Sequence, residues 1–130
     1  MSVPEALCAY NMTAQSFLGM NVSRADTMWS RLRGLLGRRR LQADEGLWMV
    51  PSQGIHTIGL LFAIDLVYLD ADLRVIHLIE HLGPFRVAPV KTGAQTVLEL
   101  PVRTIYASRT KVGDKLVICA PERMEACVGQ

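Results

Sequence analysis

The sequence predicts an α+β fold: a β-rich, strongly bent or barrel-like sheet with one main helix packed on it. Three observations predict it. Short strand-like segments recur along the chain, closed by Gly, Pro and Asp turn residues. One main stretch, residues 23–37, places apolar side chains at helical spacing. Strands do not alternate with long helices, which argues against a doubly wound sheet and removes the usual nucleotide crevice.

Residues 8–11 and 15–20 read as the two arms of a hairpin joined by 12–14. Ser23 with Asp26 three positions later fits a capping pattern, in which hydroxyl and carboxylate satisfy open N–H groups of a first helical turn. Met28, Trp29, Leu32, Leu35 and Leu36 then supply one apolar helix face, which Gly34 and Gly37 end. After a basic turn, residues 46–50 form a short strand stopped by Pro51, Ser52 and Gln53. In residues 64–69 the apolar side chains fall on both faces, so this strand is expected to be buried on both sides and central. Asp70, Ala71 and Asp72 turn the chain into 73–80, completing a hairpin. Gly83, Pro84 and Pro89 bracket a loop, 96–100 is another strand, and 104–108 is a short helix. Gly113 and Asp114 turn into a last strand at 115–119, and residues 121–130 read as a loose polar tail.

At 130 residues, half hydrophobic and a fifth charged, the chain is expected to form one domain, residues 1–130, able to fold without staples. A net charge of +2 gives no general attraction to nucleic acid or acidic membranes, so any such function must rest on a local patch. Cys8, Cys119 and Cys127 show no C-x-x-C spacing; neither a disulfide framework nor a zinc site is suggested, and a reducing, cytoplasmic setting is expected. The first ten residues lack the basic and apolar regions of a signal peptide. The most apolar window, 58–69, holds Asp65 and is shorter than the roughly 20 residues a bilayer requires. No cofactor motif is present, and the sequence leaves the oligomeric state unspecified.

Three stretches together carry a family resemblance. They are Arg31-Leu32-Arg33-Gly34-Leu35-Leu36-Gly37-Arg38; His56-Thr57-Ile58-Gly59-Leu60 running on to Ile64-Asp65 and Leu69-Asp70; and Val97-Leu98-Glu99-Leu100-Pro101 with Val112-Gly113-Asp114. In order and spacing, over residues 22–118, they resemble the domain of unknown function 192 family, an uncharacterised bacterial and archaeal group. The family pattern usually shows Met where Leu60 stands, Pro where Ala63 stands, and a Gly shortly after the Leu-Glu-Leu-Pro run, where this chain has Arg103. The resemblance implies a compact β-rich domain without known catalysis.

Asp65 lies in an apolar run, where an unpaired carboxylate would cost several kcal/mol to bury. It is expected either to accept backbone N–H bonds from the 55–59 loop, or to sit beside His56 or Arg33 in a polar pocket. The string His77-Leu78-Ile79-Glu80-His81 matches the H-x-x-E-H zinc-protease pattern, which needs a helix. On a strand the two histidines stand about 13 Å apart with Glu80 pointing away, so no metal site is expected. Arg31, Arg33, Arg38, Arg39 and Arg40 form a positive run that helix-end solvation explains simply, and no aromatic residues interleave with it as a nucleic-acid surface would require. Glu99, between Leu98 and Leu100, reads as solvent-facing by alternation, while the resemblance places it in a motif. No nucleophile motif such as G-x-S-x-G occurs, and no catalytic residue is assigned.

The leading expectation is a non-enzymatic binding module, with Arg33, His56, Thr57, Asp65 and Glu99 lining a groove for a small polar ligand or a protein segment. Two alternatives stand beside it. One is a hydrolase-like enzyme with His56 as acid or base, oriented by Asp65. The other is an anion-binding surface centred on Arg38, Arg39 and Arg40.

Overall fold

The computed structural model describes residues 6–25, 40–54 and 60–129. Within them the chain forms β1 (Leu7–Asn11), β2 (Ser16–Ala25), β3 (Glu45–Met49), β4 (Ile64–Leu69), β5 (Val75–Leu82), β6 (Thr96–Pro101), α1 (Thr104–Ser108), β7 (Leu116–Cys119), a 3-10 turn (Pro121–Arg123) and α2 (Met124–Val128). The strands make one sheet in the order β5-β4-β6-β3-β2-β1-β7. All neighbours are antiparallel except β2 and β3.

The sheet curls into a half-barrel, as expected of a barrel-like α+β fold. Its two edge strands meet at one end, where Arg74 bridges Lys115 and Val75 N–H donates to the Asp114 carbonyl at 2.9 Å. Alternation along each strand then sorts side chains into two cores. The inner core collects Ala9, Leu18, Val22, Val67, Leu69, Val75, Leu98, Leu100 and Leu116 from around the curl, with Trp48 of β3 packed against it and Ile105 of α1 plugging the end. The outer core lies on the other face, around Leu47, Met49, Ile64, Leu66, Tyr68 and Val97.

Most strand expectations hold to within two residues at their ends, and α1 spans the predicted five residues. The strand at 64–69 is buried at every position, though β3 rather than β4 occupies the middle of the sheet. Three expectations are corrected. Ser23 does not cap a helix: β2 continues through it, paired in parallel with Leu47, because five ladder partners outweigh a local capping preference. The helix expected beyond it, with Asp26, lies outside the described residues. The tail is not loose, since α2 packs against β7 and against the 3-10 turn that leads into it. Glu99 is not solvent-facing: β6 is flanked by β4 and β3 and covered on both faces, so its alternating pattern leads to a second core instead of water.

Candidate functional site

Asp65 opens β4 and is fully buried. Opposite it β5 carries a bulge: Ile64 pairs with Leu82 and Leu66 with Ile79, leaving Glu80 and His81 against Asp65 alone. His81 takes the left-handed conformation (φ 57°) that such bulges use, which frees its N–H from the ladder. Asp65 Oδ1 accepts that N–H at 2.9 Å, and Oδ2 accepts the N–H of Ile105 at 3.0 Å. Ile105 is the second residue of α1, whose own N-cap, Arg103, makes no side-chain bond. A carboxylate 40 residues away therefore does the capping and fastens the helical plug to the barrel rim. Asp65 is satisfied by the backbone N–H groups of His81 and Ile105, while the 55–59 loop from which its donors were expected lies outside the described residues.

Glu99 lies on the other side of the sheet. Directly opposed residues on neighbouring strands share a face. Asp65 opposes Leu100, an inner-core residue, whereas Glu99 opposes Leu66 and Leu47 of the outer core. The two carboxylates thus face opposite ways and cannot line one groove. Glu99 is fully buried and holds a polar partner. The outer core on that face also holds Ala25, Leu41 and Leu60. Arg33, His56, Thr57, Arg38 and Arg39 lie outside the described residues, and Arg40 is exposed.

The H-x-x-E-H string is on a strand, as predicted. His77 packs edge-on against Tyr68 with ring centroids 5.1 Å apart, and desolvation followed by the charge of Lys91 holds its pKa below the usual histidine range. Among the described residues no cluster of His, Cys, Asp and Glu has metal-binding geometry. The cysteines are free thiols that converge from three elements. Cys8 opposes Cys119 across β1 and β7, and Cys127 of α2 hydrogen-bonds Cys119, whose pKa burial and that bond push up to about 11.

Sequence reasoning missed a buried polar cluster at the β1–β2 turn. Asn11, fully buried, donates through Nδ2 to Thr110 Oγ1 (3.1 Å) and Asp114 Oδ2 (2.9 Å), and its Oδ1 accepts Ala14 N–H (2.9 Å). Ser108 and Thr110 hydroxyls pair at 2.7 Å beside it. An asparagine inside an otherwise apolar strand was the available signal.

A profile of the DUF192 family, described as Uncharacterized ACR, matches residues 10–118. The chain belongs to the DUF192 family. No curated protein matches its sequence. Two crystal structures are similar in fold. One is a protein of unknown function from Novosphingobium aromaticivorans DSM 12444, with TM-score 0.72, 18% identity, 89% of this chain covered and 93% of the other. The second is a protein assigned provisionally as a transcription regulator, from Sinorhizobium meliloti 1021, with TM-score 0.71, 19% identity and coverage of 90% and 97%. At such identity the likeness speaks for the fold alone.

Arg103 stands where the DUF192 pattern usually has glycine, and its φ of 75° explains the usual choice. Left-handed backbone costs a non-glycine residue roughly 1–2 kcal/mol, partly offset by the greater unfolded-state freedom of glycine. Arg103→Gly should therefore raise stability by about 0.5–1 kcal/mol in urea unfolding.

Proposed function

We propose that this DUF192 protein is a non-enzymatic binding module for a small polar ligand, organised on the Glu99 face of the sheet. The observation that carries this reading is the division of the two motif carboxylates. A hydrolase built on His56 needs Asp65 as its orienting partner, yet both oxygens of Asp65 are taken by the N–H groups of His81 and Ile105, which hold a bulge and a helix start together. What remains of the motif set is Glu99, with Arg33, His56 and Thr57. A buried carboxylate that keeps a polar partner is suited to fixing a cationic or imidazole group against a ligand, which makes Glu99 a positioning residue.

A thermal-shift panel of amino acids, dicarboxylates, nucleosides and monosaccharides tests the reading on wild type, Glu99→Gln and His56→Asn. At least one compound class is expected to raise the wild-type Tm, with the shift lost in both variants. The reading fails if no class shifts wild type, or if both variants respond as wild type does.

A further inference from the structure

The turn after β1 and the turn before β7 enclose an open cleft of about 340 Å³ lined by Thr13, Ala14, Arg109, Lys111 and Asp114. It contains none of the Glu99 set, so an inference from it stands apart from the function proposed above.

Asp114 is the anchor. It is 8% exposed, and both bonds it accepts fall on one oxygen: Oδ2 takes Asn11 Nδ2 at 2.9 Å and Lys111 N–H at 2.9 Å. No described protein donor reaches Oδ1. Asn11 cannot turn to serve it, because its amide is fixed at three points by Ala14, Thr110 and Asp114. A nearly buried carboxylate is thus held rigidly with one acceptor left over in a polar cleft.

The rest of the lining has the opposite character. Thr13 Oγ1 accepts Lys115 N–H at 3.0 Å, which leaves its hydroxyl proton to donate. Arg109 reaches only the Ala14 carbonyl, at 3.4 Å, and neither it nor Lys111 forms an ion pair with a described carboxylate. Two cations and a hydroxyl donor therefore stand beside a single fixed acceptor.

We propose that this cleft binds a small carboxylate bearing a hydrogen-bond donor on its α carbon, an α-hydroxy or α-amino acid. The carboxylate meets Arg109, Lys111 and Thr13, and the hydroxyl or ammonium meets Asp114 Oδ1. Arginine suits the first contact because its planar fork matches a carboxylate. Asp114 supplies selectivity, since an anion lacking the donor would leave its oxygen unmatched and place like charge beside it.

Amide-shift NMR titration of the full chain with glycolate, glycine and acetate tests the assignment, because the three probes share a carboxylate and differ at the α substituent. Saturable shifts are expected at residues 13–15 and 109–115 with glycolate or glycine, and binding of acetate about tenfold weaker or less. Arg109 caps α1 with φ 57°, so Arg109→Gly relieves the backbone while removing the guanidinium. Combined with Lys111→Gln it should abolish saturation with no fall in Tm. Asp114→Asn keeps an oxygen for Asn11 and Lys111 and should erase the preference for glycolate over acetate. Equal affinity for acetate and glycolate, undiminished binding in the Arg109/Lys111 variant, or no saturable shift with any probe would overturn the proposal.

Discussion

Asp65→Ala is expected to destabilise the protein by about 3–5 kcal/mol, from two orphaned N–H groups at about 1–3 kcal/mol each plus the cavity left behind. Nothing else described is placed to take over either bond. The His81 N–H is turned out of the ladder by its own bulge, and the Ile105 N–H belongs to a helix start whose local cap makes no bond. Asp65→Asn should recover about half of the loss, because its oxygen satisfies one N–H while its amide faces the other donor. Set against a typical domain stability of about 5–15 kcal/mol, the alanine variant loses a large share. Urea unfolding followed by circular dichroism measures it. A loss under about 1 kcal/mol would show that the clamp is not structural and would return Asp65 to the list of candidate functional groups.

The strands were legible because their local pattern and their burial agree. Residues 64–69 are apolar on both faces and lie between two cores, and Gly113 with Asp114 turns the chain into β7 as their chemistry predicts. Where the reading failed, long-range pairing had overridden local chemistry. Ser23 carries a genuine capping pattern, but a parallel partner 24 positions on claims its backbone. Glu99 alternates like an exposed residue, and only the strand order shows that its face is covered. The polarity of Asp65 in an apolar run announced that it needed partners, yet those partners lie 16 and 40 residues downstream, beyond the reach of any local pattern. The Asn11 cluster was hidden for the same reason, its contacts spanning 99 and 103 residues.

Asn11 is where that long-range chemistry should show most clearly in experiment. Asn11→Ala removes three hydrogen bonds at a fully buried position and is expected to cost about 2–4 kcal/mol. Asn11→Asp is the more telling variant, because it keeps the shape and reverses the chemistry toward Asp114. The donor that now meets Asp114 Oδ2 at 2.9 Å becomes a second carboxylate, and two carboxylates that close cannot both ionise without a large penalty. In the folded variant the pair should therefore retain a shared proton to higher pH than either group would in the unfolded chain. A folded-state pKa raised above its unfolded value gives stability that is present at low pH and lost as pH rises through the raised value. The Asn11→Asp protein should accordingly be least stable at neutral pH and regain part of its deficit as pH falls toward about 5, while Asn11→Ala, with no new titrating group, keeps a constant deficit against wild type. Parallel urea titrations of the three proteins across that range separate the effects. A deficit in Asn11→Asp that is flat or grows on acidification would mean that the two side chains do not meet as described, and that the carboxylate of Asp114 is not held in place from β1.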